Sequence, residues 1–177
     1  MLQFPLQIGQ ILSLKSVNLT DETVKVMVNI VNSQKKDPFV RTTVENILHY
    51  IPEKKWTEEV EKIYLYVKKK IRYTRDIANI EFIKTPVKHL TDIQERGLSW
   101  GDCDDHSILL ATLLESAGYR AKFVIIRSPS NPINTFNHIF VKVFNPDKND
   151  WVCLDPTAKD KPLYWCPPSV KSKEYLI

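Results

Sequence analysis

The chain has 177 residues, 43% of them hydrophobic, which suffices to bury a real core, and we expect a single domain over 1–177. No apolar run approaches the roughly 20 residues that span a bilayer, and Met1 to Gln10 lacks the charged flank and long apolar stretch of a signal peptide, so neither a membrane nor that export route is expected. The net charge of +4 comes from scattered Lys and Arg; the groups Lys54-Lys55 and Lys68-Lys69-Lys70 are interrupted by nearby acids, and nucleic acid is not an expected partner.

In chain order, Val24, Val26, Val28 and Ile30 share one parity between Thr23 and Val31, the two-residue period of a strand with one buried face. A strand or hairpin is expected there. After Asp37-Pro38, a cap followed by proline at a permitted first-turn position, Val40, Val44, Ile47 and Leu48 recur at three and four and predict a helix ending near Pro52. Trp56, Val60, Ile63, Tyr64, Val67 and Ile71 repeat that spacing, acidic early and basic late, as the helix dipole favours. A loop from Tyr73 to Thr85 follows, then a short helix over Pro86 to Arg96 that stops at Gly97.

From Cys103 to Ala117 apolar residues fall on every side, so this helix should be enclosed by other elements until Gly118 ends it. Ala121 to Ile126, Asn137 to Phe144 and Trp151 to Leu154 are rich in Val, Ile and Phe and read as consecutive antiparallel strands, the last two joined by the turn Asn145-Pro146-Asp147 to Asp150. A Pro-rich tail closes the chain. Helices first and strands afterwards give an α+β class.

Asp102 is a good cap for the enclosed helix, and Asp105 three residues later completes a capping-box-like pair. Cys103 then lies in the first turn, where unpaired amides and the positive dipole end favour a thiolate and can receive an oxyanion. Asp102, Asp104 and Asp105 oppose this by raising the thiol pKa, so a cationic partner is needed. His138 near the start of one strand, and Asp155 closing the next, can be held side by side by a hairpin. If that hairpin packs across the helix start, Cys103 is the nucleophile, His138 its base and Asp155 the group that orients the base.

These residues resemble the transglutaminase-like superfamily of papain-like cysteine enzymes. The resemblance rests on Trp100-Gly101-Asp102-Cys103-Asp104-Asp105, the Leu-rich helix to Ala117-Gly118-Tyr119, His138 in a strand, and Trp151 followed by Leu154-Asp155-Pro156. Tyr64-Leu65-Tyr66-Val67 and Ile71-Arg72-Tyr73 extend it over residues of about 38 to 158. The Gly-Asp-Cys-Asp-Asp form is similar to that of proteins from bacteria and tailed phages. The resemblance implies a papain-like core, with Cys103 at the start of a central helix packed on an antiparallel sheet, and a Cys103, His138, Asp155 triad acting on a peptide or amide substrate without a cofactor. Family members that cross-link proteins have an upstream tryptophan that helps hold the oxyanion; Tyr73 stands in a comparable place, and Trp100 is a candidate border of the substrate channel. They also have flanking β-domains that are not seen here, so hydrolysis is expected ahead of cross-linking. The rival expectation is a structural or assembly component, for example a phage virion protein with phage structural partners, and the location expected is cytoplasmic or virion-associated.

Other residues carry plainer expectations. Three cysteines, an odd count without CxxC spacing, suggest neither a disulfide framework nor a zinc knuckle, and a reducing compartment is the default. Cys153 reads as strand packing and Cys166 as part of the tail. His49, His89 and His106 read as surface or capping residues, with His106 placed to tune Cys103. The carboxylates of Asp102, Asp104 and Asp105 lack the spacing of a calcium loop, and no metal is expected.

Overall fold

The computed structural model describes residues 11–14, 20–75 and 81–177. The expectations for Met1 to Gln10 and for the middle of the Tyr73–Thr85 loop lie outside these residues. The described residues share one main hydrophobic cluster running from Val24 to Leu154.

The first strand, β1 (Ile11–Leu14), is followed by α1 (Asp21–Gln34), a helix where a strand is expected. Over so short a span the valine parity also satisfies helical spacing. Residues of the other parity decide: Met27 and Val31 join Val24, Ile30 and Gln34 on one buried face, while Thr20 caps the helix by accepting from the Thr23 amide at 3.2 Å. Helix α2 (Pro38–Leu48) starts at the Asp37 cap, with the Phe39 amide bonded to Asp37 Oδ1 at 2.8 Å. It ends four residues before Pro52, in a turn closed by Ile51 N to Leu48 O at 2.8 Å. Helix α3 (Trp56–Lys70) buries Trp56, Val60, Ile63, Tyr64 and Val67, as its period predicts.

Three short strands and a helix lead to the central element: β2 (Ile71–Tyr73), β3 (Glu81–Lys84), α4 (Pro86–Arg96) and β4 (Ser99–Gly101). Strand β3 lies inside the expected loop and pairs antiparallel with β1. Strand β4 pairs in parallel with β2, setting Tyr73 opposite Gly101. Between them α4 is capped by Thr85 and stops at Gly97, whose φ of 79° is a conformation that favours glycine.

Helix α5 (Cys103–Ser116) is enclosed, with Ile108, Leu109, Leu110, Leu113 and Leu114 at zero exposure. Helices α1, α2 and α3 pack on it from one side, and the sheet of β5 (Ala121–Arg127) and β6 (His138–Asn145) from the other. Each such buried leucine contributes about 2 kcal/mol relative to exposure, which anchors the helix against both layers. The antiparallel sheet runs β7 (Asp150–Leu154), β6, β5, β8 (Lys171–Leu176).

Strand β8 falls in the expected Pro-rich tail. Its sequence Lys-Ser-Lys-Glu-Tyr-Leu is largely exposed and shows no two-residue alternation, because as an edge strand it is held by its backbone pairing to β5 and by the Glu174 contacts with Lys122 and Lys142. Cys153 and Cys166 form a disulfide, with Cα atoms 5.2 Å apart. This corrects the reading of three independent thiols: the residues are 13 apart in sequence, but the irregular segment after β7 turns back across it. Disulfides persist in oxidising compartments, so the pairing also stands against a reducing location as the default. Among the described residues, no helix is long and apolar enough to cross a membrane.

Candidate active site

The start of α5 is built from its cap. Asp102 Oδ1 accepts the Asp104 amide at 3.2 Å, leaving Cys103 as the first helical residue, half-buried and outside the disulfide. One turn on, the Ser107 hydroxyl donates to the carbonyl of Ile139 at 3.2 Å, tying this face of α5 to the strand residue next to His138. That bond puts the beginning of α5 against the beginning of β6.

His138 and Asp155 meet: His138 Nε2 lies 2.8 Å from Asp155 Oδ2. The other carboxylate oxygen accepts the Thr157 amide at 3.0 Å and the Thr157 hydroxyl at 2.6 Å, while the Tyr64 hydroxyl donates to the Asp155 carbonyl at 3.3 Å. Asp155 is therefore fixed as well as buried, at 6% exposure. Burial alone would raise its pKa, but the hydrogen bond and charge of His138 and the two bonds from Thr157 outweigh that, so the carboxyl stays below its ordinary 3.8. An ionised carboxylate can only accept, so Nε2 carries the proton, and in the neutral ring Nδ1 presents a lone pair.

Tyr73 ends β2 opposite Gly101 and is half exposed. Its phenol is pushed up by burial and then by the charges of Cys103 and Asp102. Trp100, also partly exposed, points the other way along β4 from buried Ser99 and Gly101, and it is not among the residues that line the cleft described below.

Three expectations need correction. Asp105 is not the second half of a capping box: its Oδ1 turns inward to accept the Lys84 amide at 2.9 Å and to meet His89 Nε2 at 3.1 Å. His89 is fully buried rather than a surface residue, and its Nδ1 meets Ser99 Oγ at 2.8 Å. The signal was present, since His89 falls on the same face of α4 as Pro86, Val87, Leu90 and Ile93. His106 is also buried, between the carbonyls of Asp102 (2.6 Å) and Ile71 (3.2 Å); burial lowers its pKa and these bonds only partly offset that. The string Ser99, His89, Asp105 braces the start of α5 from behind. It also explains Gly101, because a Cβ there would meet Asp105 Oδ2 at 2.0 Å. The carboxylates of Asp102, Asp104 and Asp105 converge within 4.8 Å, and each turns one oxygen to a backbone amide.

A cleft of about 750 Å³ opens at His138 and Asp155. Tyr73 and Arg75 line one part of it, Ser128 and Asn137 another, and the segment after β7 contributes Lys159, Lys161 and Trp165. The imidazole held by Asp155 lines this cleft; Cys103, on the helix tied to the same strand through Ser107 and Ile139, is not among the residues that line it.

Residues 43–156 match the model of the transglutaminase-like superfamily. No match is found among curated proteins. Among solved structures, the chain is similar to a candidate cysteine protease of Cytophaga hutchinsonii, with 14% identity and a TM-score of 0.52 over 81% of this chain and 46% of that one. It is similar to LapG of Legionella pneumophila in its calcium-bound form, with 20% identity and a TM-score of 0.52 over 80% of this chain and 76% of that one. A candidate protease of Parabacteroides distasonis gives 11% identity and a TM-score of 0.51, over 75% of this chain and 25% of that one. At these identities the likeness is one of fold. The chain spans less than half the length of the Cytophaga protein and a quarter of the Parabacteroides one.

Proposed function

Because the chain belongs to the transglutaminase-like superfamily, we propose that it is a cysteine-dependent acyl-transfer enzyme, a peptidase or amide hydrolase in which Cys103, His138 and Asp155 form the triad. The observation that carries the reading is the 2.8 Å contact between His138 Nε2 and Asp155 Oδ2. It fixes the tautomer and leaves Nδ1 with the lone pair that a base for Cys103 needs.

In the proposed reaction His138 Nδ1 takes the Cys103 proton, and the thiolate attacks the amide carbonyl carbon. The oxyanion forms against the first amides of α5, with the Tyr73 hydroxyl as a second donor. Collapse breaks the C–N bond while Nδ1–H protonates the leaving nitrogen, leaving a thioester. Water then gives its proton to Nδ1 and attacks the thioester; the acid leaves and the thiolate and imidazolium are restored. Asp155 stays ionised throughout and stabilises the imidazolium.

The test is thiol reactivity at about pH 6, where an ordinary cysteine with a pKa of about 8.5 is almost wholly protonated. Iodoacetamide should modify Cys103 at that pH, read by intact mass, and His138→Ala should slow the reaction at least about tenfold. Cys153 and Cys166 are sealed in the disulfide, so the oxidised protein offers a single thiol. If Cys103 reacts no faster than a free cysteine peptide and is unaffected by His138→Ala, the hydrolase is abandoned for the structural or assembly role.

A further inference from the structure

We propose that the cleft selects acidic peptides, through Arg75 on one wall and Lys159 and Lys161 on the other. The inference rests on the reading of the cleft as the substrate site, and it adds the class of substrate.

Among the described residues, the charges that line the cleft do not balance. Asp155 is committed to His138 and Thr157, which leaves Asp160 as the anion facing three cations. Among the described residues, none of Arg75, Lys159 or Lys161 takes part in a salt bridge, although surface lysines elsewhere in the chain do: Lys35, Lys88, Lys142 and Lys173 all have carboxylate partners. Two of the three cations also lie near aromatic rings of the same cleft. Arg75 lies near enough to the Tyr73 phenol to work against the burial that raises its pKa, and the Lys161 ammonium lies 5.3 Å from the centre of the Trp165 ring. The two lysines flank Asp160 on a segment whose ends are pinned: Lys68 Nζ donates to Ala158 O at 2.8 Å, and the disulfide holds Cys166 to β7. A cavity with fixed cations and few anions favours a ligand that supplies carboxylates. The indole of Trp165 and the ring of Pro167, in the same cleft, provide the apolar surface that a peptide backbone also needs.

The test uses dye-labelled peptide amides that are identical except for a central Glu-Glu or Lys-Lys pair, with binding to the intact protein followed by fluorescence anisotropy. At low ionic strength the Glu-Glu peptide should bind about tenfold more tightly, a ratio that shrinks as salt screens the exposed charges. Lys159→Glu combined with Lys161→Glu should invert the preference. Lys36→Glu with Lys148→Glu makes the same change in net charge at exposed lysines that do not line the cleft, and should leave the preference in place. Peptides that bind within twofold of each other, or an equal effect of the two double variants, overturn the proposal. Because binding is read without catalysis, the result is separable from the iodoacetamide test. An acidic preference with an unreactive Cys103 would keep the selection and remove the hydrolase; a reactive Cys103 without the preference would do the reverse.

Discussion

Replacing Cys166 by serine cuts the link between β7 and the segment that walls the cleft, and the structure sets the size of the effect. The disulfide spans a sequence separation of 13, and releasing a loop of that length restores chain entropy to the unfolded state equivalent to about 3 kcal/mol. Little else changes. Cys166 is exposed, so serine is hydrated there, while Cys153, 1% exposed among Val124, Ile126 and Phe140, remains as a small buried hydrophobe. Against a native stability of roughly 5 to 15 kcal/mol this is a large fraction. Urea unfolding followed by circular dichroism should show the loss as a midpoint lower by about 1.5 M, for a slope of about 2 kcal/mol per molar. The wild type in reductant should coincide with Cys166→Ser in reductant, since Cys103 is outside the link. If reductant leaves the wild-type midpoint unmoved, or if oxidised wild type and Cys166→Ser unfold together, the disulfide does not hold this segment.

Two further outcomes follow from buried polar contacts. His89→Leu removes the imidazole from Asp105 inside the protein, at a position with no exposure, and should cost at least about 2 kcal/mol in thermal or urea unfolding; an unchanged melt would show that Asp105 does not depend on that contact. Asp155 has a native pKa below 3.8, so its contribution to stability is present above that ordinary value and is lost as pH falls through the lower native one. The stability gap between wild type and Asp155→Asn should therefore be constant at neutral pH and close only below about pH 4; a gap that closes near pH 6 would place the titration elsewhere.

Much of the fold was legible because it rests on local rules. Helices α2 and α3 follow from apolar residues three and four apart, α5 from apolar residues on every side, and their bounds and those of α4 from Asp37 and Asp102 at two starts and Gly97 at one stop. Strands β5, β6 and β7 follow from short runs of Val, Ile and Phe around a turn. Together they order Cys103, His138 and Asp155 along the chain and place each at the end of an element. Where local signals were ambiguous or silent, the reading failed. Valines two apart over one short span serve a helix as well as a strand, and α1 took the helical option because the core offered a face for Met27 and Val31.

What only the tertiary structure decided are contacts whose two sides have no common local pattern. Strand β8 has no buried face to announce it and exists because β5 offers an unpaired edge. Cys166 finds Cys153 because an irregular segment turns back along the sheet, and that same segment brings Lys159 and Lys161 to the cleft. Asp105 leaves its expected cap for His89, sixteen residues earlier, because a buried carboxylate must be hydrogen-bonded wherever a partner lies. The sequence alone determined which residues are proposed for the chemistry and on which elements they stand. Which of them meet was left to the packing of α5 between helices and sheet, since spacing along a chain sets the faces of single elements and long-range burial sets how those faces are joined.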